Sequence, residues 1–182
     1  MALGTTLPFG LRDIRLTPYT DLTATILGTS LDLPNSRTLS FAEVEDFNEL
    51  RGDDSVVATH GNGPGVEWEL EGGGVSLEAV ATMYGGTVAT TGVTPNQIKS
   101  LTKKVTDQRP YFKVEGQSIS DNGGDFHTVI YRAKATDNLT GEQADGEWFL
   151  TGASGIGMKS LVVADLDKVW AWVQNETITP SV

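Results

Sequence analysis

Hydrophobic and polar residues alternate without interruption in one segment of the chain, residues 66–71. Successive side chains of a β-strand point to opposite faces of a sheet, so a period of two predicts a strand with one buried and one exposed face. The apolar positions are Val66, Trp68 and Leu70, and the acidic positions are Glu67, Glu69 and Glu71. Three glycines follow the segment. It is therefore predicted to be a strand with an apolar core face and an acidic outer face.

Turn residues punctuate much of the chain at short intervals, as is typical of mostly antiparallel β proteins. A hairpin is predicted around the turn Arg51-Gly52-Asp53-Asp54, with Val56 and Val57 in the returning strand. A second, longer hairpin is predicted around the turn at residues 120–125. Thr and Val supply 38 of the 182 residues, and β-branched residues fit strands better than helices. Further strands are expected at residues 98–104, 110–119, 126–135 and 148–151.

One α-helix is predicted after residue 76, covering one face of a sheet. Ser76 is a suitable N-cap, and Glu78 places a negative charge in the first turn, where the helix dipole favours it. Gly85 and Gly86 end the helix. Its apolar face comprises Leu77, Val80, Ala81 and Tyr84. The predicted core comprises Trp68, Leu70, Leu77, Val80, Tyr84, Phe112 and Val114.

The chain is expected to be a single domain with extended ends. It would have an N-terminal arm (about 1–10), a long hairpin or loop (about 40–60) and a C-terminal arm (about 175–182). Residues 165–174 fit two alternatives. Their apolar residues match both the spacing of a helix and the alternation of a strand, and the choice stays open.

Composition excludes several classes of function. The chain has 24 acidic and 13 basic residues, a net charge of −11, and such a chain is poorly suited to hold nucleic acid by its phosphates. It contains no Cys, which excludes a disulfide scaffold and a Cys nucleophile. No apolar run approaches the roughly 18–20 residues of a membrane span, and residues 1–10 lack the features of a secretory signal.

The charge is divided unevenly along the chain. Between Phe41 and Glu71 nine acidic residues stand against Arg51 alone, whereas between Lys99 and Lys134 seven basic residues stand against four acidic ones. Opposite charges on different parts of one chain would suit head-to-tail contacts between copies. The alternative is that both regions are ordinary solvated surfaces. The candidate intersubunit basic residues are Lys99, Lys103, Lys104, Arg109 and Lys113.

The sequence offers little that could carry catalysis. Residues 151–160 are similar to a phosphate-binding loop, but Met158 stands where that motif requires Lys, and Lys159 comes one position too late. We interpret this segment as a flexible glycine-rich loop. Neither His60 nor His127 has a partner at zinc-binding spacing. We therefore expect no catalytic residues, no cofactor and no metal, and we expect the protein not to be an enzyme.

Six short segments, taken in order, carry a family resemblance. They are Leu7–Tyr19, Glu49–Asp54, Asn62–Gly65 leading into the alternating segment, Gly92–Gln97, Gln108–Lys113 and Val173–Thr177. Together they resemble the major tail proteins of long-tailed, non-contractile bacteriophages, especially those of actinobacterial hosts. The likeness spans most of the chain, and residues 155–168 lie outside it.

The resemblance implies a structural virion protein of the tail tube, assembled in the host cytoplasm. The family fold is mainly β, with two packed antiparallel sheets and one flanking helix, and the inner sheets of six copies join into one β-barrel. Rings of six copies stack through terminal arms and a long loop or hairpin. The implied partners are further copies of the chain, the tape measure protein, the tail terminator and the tail-tip proteins. Duplex DNA would pass through the lumen without specific binding, and no membrane is involved.

Residue-level expectations combine this resemblance with the charge pattern. We expect Glu67, Glu69 and Glu71 to face the lumen, where negative charge repels phosphates and lets DNA slide; the alternative is an outer or inter-ring surface. The ring-stacking hairpin is expected at Arg51, Gly52, Asp53 and Asp54. Two other classes of function stay open. One is a monomeric β-sandwich binding module on a virion or cell surface, and the other is a P-loop nucleotide-binding enzyme.

Overall fold

The structure, a computed structural model, describes residues 4–181 and is mainly β. Strands hold 51% of the residues, and the described part of the chain has one α-helix. The helix is α1 (Leu77–Tyr84), and a 3₁₀ turn covers Val163–Asp165. In chain order the strands are β1 (Pro8–Pro18), β2 (Leu31–Asp32), β3 (Ser36–Val44), β4 (Phe47–Gly52), β5 (Ser55–Gly61), β6 (Gly65–Gly73), β7 (Thr87–Thr91), β8 (Ile98–Thr102), β9 (Phe112–Ser120), β10 (Asp125–Ala135), β11 (Leu150–Met158) and β12 (Trp170–Asn175).

Eight strands form one antiparallel sheet, in the order β2-β1-β9-β10-β11-β6-β3, with β12 added at β10. Strand β10 pairs with β9 along one edge. Its other edge holds two partners, because residues 125–130 pair with β12 and residues 132–135 pair with β11. The register between β9 and β10 shifts between Ile130 and Ala133, at the point where β10 changes partner on its other edge. Strand β10 is thus the place where the two halves of the sheet meet.

The core lies between these two halves. Trp68 of β6 packs edge-on against Phe112 of β9, with ring centroids 5.5 Å apart. Strands β1 and β3, near the two ends of the sheet order, lie beside each other without pairing. The family resemblance implies two packed sheets, whereas the structure has one large sheet whose halves face each other, together with the two-stranded sheets β4–β5 and β7–β8. The largest core side chains include Ile14, Leu16, Val66, Trp68, Leu70, Met83, Tyr84, Phe112, Val114 and Ile130.

Helix α1 covers one end of this core and has the predicted bounds. The Ser76 hydroxyl accepts a hydrogen bond from the Ala79 N–H at 3.3 Å, and Gly85, with a φ of +81°, ends the helix. The side chain of Leu77 is only half-buried, although the sequence places it in the core. The reason is the direction of the buried stripe, which runs through Ala79, Val80, Met83 and Tyr84 and leaves the first residue of the helix at its border.

The glycine-rich segment 151–158 is part of strand β11, so its interpretation as a flexible loop is wrong. At Gly155 and Gly157 the neighbouring strands come too close for a side chain. A Cβ at Gly155 would lie 2.1 Å from the Lys134 carbonyl oxygen, and one at Gly157 would lie 2.7 Å from the Ile130 side chain. Trp148, expected in this strand, precedes it and is 91% exposed.

Both ends of the chain also differ from expectation. Strand β1 begins at Pro8, which pairs with Ser120, so part of the predicted N-terminal arm belongs to the sheet; residues 1–3 lie outside the described residues. Of the two alternatives for residues 165–174, the strand is found, as β12 after the 3₁₀ turn. Four strands that the sequence does not predict are β1, β2, β3 and β7.

We expect Leu70→Ala to lower the free energy of unfolding by about 2–5 kcal/mol, because it removes a fully buried side chain between the two sheet halves. Glu69→Ala on the opposite face of β6 is the matched control and should change it by no more than about 0.5 kcal/mol. Urea titration of both variants measures the difference. Equal losses would contradict the assignment of the two faces.

Candidate functional site

The face of β6 opposite the core is open to solvent and acidic. Glu67 and Glu69 are exposed, and neither forms an ion pair with another described residue. Glu71 is half-exposed and pairs with Arg37, with 3.2 Å between Nη1 and Oε1. The flanking positions on β3 and β11 are small or uncharged: Thr38, Ser40 and Ala42 on one side, Gly152, Ser154 and Ile156 on the other. The flanking strands therefore bring no opposite charge to the two free carboxylates.

Strand β10 extends this face with positive charge. Lys134 pairs in register with Ile156, which in turn pairs with Glu67. Arg132 stands beside Met158 in the next row. Two strand spacings, roughly 10 Å, separate the basic row on β10 from the acidic row on β6. The exposed face of β3, β6, β11 and the second half of β10 thus has an acidic side and a basic side.

The β4–β5 hairpin continues strands β3 and β6 beyond the body of the protein. The Asn62 N–H donates to the Asp46 carbonyl at 2.9 Å, which links the two parts of the ribbon. Asp53 and Asp54 form the turn with φ values of +49° and +64°, the combination found in type I′ hairpin turns. Arg51 pairs with Glu49 at 2.8 Å. The predicted stacking residues Arg51, Gly52, Asp53 and Asp54 therefore lie at the tip of a ribbon that projects roughly 20 Å.

Apolar side chains of this hairpin are open to water. Phe47, Leu50 and Val57 are each 64% exposed. A hairpin of two strands is marginal by itself, and exposed apolar side chains on it are a feature of surfaces that contact a partner. The second hairpin, β7–β8, also exposes Val93 and Ile98. Both hairpins are thus candidate contact elements.

The five predicted intersubunit basic residues do not form one patch. Lys99 pairs with Glu78 of helix α1, and the Lys103 ammonium donates to the Tyr84 carbonyl at 2.6 Å. Arg109 donates to the Ala135 and Asp137 carbonyls, and the exposed Lys104 lies in the loop before it. Lys113 is different, because its side chain is 15% exposed and pairs with Glu115 at 3.1 Å. Lys113 belongs to a buried polar cluster and is not displayed to a neighbour.

The segment after β12 folds back onto the body, whereas the sequence predicts an arm outside the core. The Thr179 N–H donates to an Asp125 carboxylate oxygen at 2.7 Å, and the Gln117 side-chain amide donates to the Thr179 carbonyl at 2.8 Å. The Ser181 hydroxyl bonds to Asp13 at 3.1 Å. The Asp125 carboxylate beneath this segment is fully buried. The C-terminal segment is therefore held by polar groups of the sheet's outer face.

A buried ionic cluster lies under this segment, and the sequence analysis does not predict it. His127 Nδ1 lies 2.7 Å from a Glu115 carboxylate oxygen, and Nε2 lies 2.9 Å from one of Asp125. Because both ring nitrogens face carboxylates, the ring is suited to carry a proton on each. The sequence does offer a signal, two pairs of polar residues with a spacing of two. Glu115 and Gln117 precede the 120–125 turn, and Asp125 and His127 stand at its end and just after it.

The cluster shifts the pKa values of its members. Burial lowers the pKa of His127, but the hydrogen bonds and charges of Asp125 and Glu115 raise it by more, so it lies above the ordinary 6.5. Burial raises the pKa of Asp125, but the bonds from His127, Thr179, Gln117 and Asn175 lower it to about 2. The charged forms of both groups are thus favoured in the folded protein.

Neither a known protein family nor a curated protein matches this chain. Among the described residues, no helix has the length and apolar character needed to cross a membrane. The features that bear on function are therefore the exposed face, the two hairpins and the chain ends.

We expect the free energy of unfolding to decrease as the pH rises above 6.5. His127 has a raised folded pKa, so its contribution is complete below 6.5 and is lost as the pH passes through the folded value. Asp125 behaves in the opposite way, because its contribution is complete above 3.8 and is lost as the pH falls towards 2. Urea unfolding between pH 5 and 9 measures the upper decline. His127→Asn should flatten it and the exposed His60→Asn should not; an unchanged slope in the first variant would contradict the assignment.

Removing residues 176–182 should destabilise the fold itself, by about 1–3 kcal/mol, because buried Asp125 and Gln117 lose hydrogen-bond partners. Thermal unfolding of the truncated chain measures this loss. Truncation after Pro180, which keeps the Thr179 carbonyl as an amide and so keeps both bonds, is the control. If the chain without residues 176–182 were as stable as the full chain, these residues would form a free arm, as the sequence predicts.

Proposed function

We propose that this chain is a tail tube protein of a long-tailed, non-contractile bacteriophage, in which six copies form a ring and stacked rings form a hollow tube for DNA. The observation that carries the proposal is the exposed face of β6, where Glu67 and Glu69 form no ion pair and have only uncharged residues beside them on β3 and β11. In a tube, this face would line the lumen. Like charge would keep phosphates from adhering, so a DNA duplex would slide through.

The unpaired edge strand of the sheet supports assembly by strand pairing between copies. Strand β3 is the last in the sheet order, and its outer edge has no strand partner among the described residues. A nine-residue edge is a strong template for pairing with another chain, and closing a barrel removes such edges. Edge pairing between copies would satisfy its backbone groups.

The dimensions fit a conduit for a duplex. Each copy offers four strands to such a lining, namely β3, β6, β11 and the second half of β10. Six copies would give 24 strands at ~4.7 Å each, which corresponds to a diameter of roughly 36 Å before strand tilt widens it. The proposed partners are further copies of the chain, the tape measure protein, the tail terminator and the tail-tip proteins.

The other two function classes receive less support. A monomeric β-sandwich module would leave the apolar side chains of the β4–β5 hairpin in water, which is unfavourable for a solitary protein. A P-loop enzyme needs a loop at residues 152–159, but most of these residues lie in strand β11, and the Lys159 ammonium pairs with Asp167 at 2.9 Å.

Negative-stain electron microscopy of the purified full chain tests the proposal. We expect six-fold rings or tubes that form in a concentration-dependent way. A particle that remains at the monomer mass of 19.4 kDa at every concentration would contradict it.

The lumen assignment has its own test, the double variant Glu67→Lys/Glu69→Lys. Its tubes should retain DNA after co-sedimentation at low salt, about tenfold above wild type, and should release it as salt rises. Glu142→Lys/Glu147→Lys makes the same change of charge in the exposed loop before β11 and should leave DNA retention low. Equal retention by both variants would place the β6 face away from the lumen.

A further inference from the structure

Four basic side chains gather around two tyrosines. The Arg109 guanidinium lies over the Tyr84 ring at 5.2 Å, and Lys103 donates to the Tyr84 carbonyl. The Lys134 ammonium lies 4.7 Å from the centre of the Tyr111 ring, and the Arg132 guanidinium lies 5.2 Å from it. None of the four cations forms an ion pair with a described residue. The carboxylate beside them, Asp137, accepts hydrogen bonds from the Tyr84 hydroxyl at 2.8 Å and the Ser154 N–H at 3.0 Å. Cations held near aromatic rings and in no ion pair leave their charge available to a partner.

A cleft of about 740 Å³ opens beside these residues and is lined in part by Arg109, Lys134 and Tyr111. Two carboxylates also line it, but both are occupied by neighbouring donors. Asp21 accepts from the Thr25 and Ile26 N–H groups of its own loop, and Asp107 accepts from the Lys104 N–H at 2.8 Å. These hydrogen bonds leave both carboxylates charged, but the four cations in and beside the cleft outnumber the carboxylates, so the site presents net positive charge to a visiting group.

The apolar rim of the cleft is also uncovered. Leu22, which lines it, is 93% exposed, and Val105, next to lining residue Thr106, has its side chain entirely in water. A partner that carries carboxylates at its tip and apolar side chains behind them would match both features of this site.

The same chain carries a segment with this chemistry. The tip of the β4–β5 hairpin displays Asp53 and Asp54, which form no ion pair with a described residue, and Leu50 and Val57 are exposed behind it. The ribbon cannot reach its own cleft, because it points away. Lys134 shares a row with Ala42, and the turn lies roughly 36 Å further along the strand direction if the ribbon is straight.

We propose that the tip of the β4–β5 hairpin of one copy docks in the Lys134 cleft of a second copy, with Asp53 and Asp54 facing Arg109 and Lys134. This inference rests on the proposed function and names the site that receives the hairpin. The contact joins two different patches, so each copy keeps one free hairpin and one free cleft. Such a heterologous contact extends from copy to copy and builds a stack.

Charge exchange between two variants tests the contact. Asp53→Lys/Asp54→Lys gives a chain whose hairpin and cleft are both basic, and Lys103→Glu/Lys134→Glu gives one in which both are acidic. Each alone should require at least about tenfold more protein to form stacked tubes by light scattering and electron microscopy. An equimolar mixture should assemble close to the wild-type concentration, because every hairpin then finds a cleft of opposite charge.

Lys159→Glu/Lys168→Glu is the control, since it makes the same change of charge on exposed side chains outside the cleft and should assemble as wild type. Circular dichroism verifies that each variant is folded. If wild type forms tubes and the two test variants do so equally well, the docking contact is overturned while the proposed function stands. If the variants are folded but their mixture fails to assemble, the contact is overturned as well. A wild-type chain that stays monomeric overturns both proposals.

Cross-linking gives a second test that needs no loss of assembly. The chain contains no Cys, so Asp54→Cys/Lys134→Cys introduces the only two thiols. A short bis-maleimide should produce a ladder of covalent multimers in assembled protein. Asp121→Cys/Lys134→Cys, with the first thiol in the exposed β9–β10 turn, is the control and should give no ladder. Ladders of equal strength in both, or in neither, would overturn the docking contact.

Discussion

The packing of the two sheet halves against each other, centred on Trp68 and Phe112, is the contact on which the rest of the structure depends. It occupies the apolar face of β6 and thereby forces the glutamates of that strand outward. A slip of one residue would bury those carboxylates, which is far too costly without partners, so the register is strongly specified. The acidic outer face is therefore a consequence of how the core is filled. No further residues are needed to hold these glutamates on the outer face.

Strands β3 and β6 pack on the core, and the chain between them continues beyond the core as the β4–β5 hairpin. The same ribbon thus contributes to the exposed acidic face and to the projecting tip. Its exposed apolar residues and the unpaired edge of β3 would be liabilities in a solitary protein. They become useful if copies of the chain associate, which is why these features support a tube more readily than a monomeric module.

The buried cluster of Glu115, His127 and Asp125 connects the chain end to the sheet. Ion pairs of this kind contribute little net stability, because desolvation offsets their attraction, but removing one member is costly. The cluster therefore acts chiefly to hold the C-terminal segment in one place. It also withdraws Lys113 from the surface, whereas Lys134 borders an open cleft.

The sequence by itself determined the elements whose signals are local. The alternation in β6, the cap at Ser76 and the turn at Asp53 and Asp54 each depend on residues adjacent in the chain, and the structure has all three. Only the tertiary structure decided the role of Gly155 and Gly157 in β11, because a neighbouring strand lies too close to them for a side chain. The same holds for Lys113 and Lys134, which have the same charge in the sequence. One faces a buried carboxylate and the other an open cleft, since their surroundings come from segments distant in the chain.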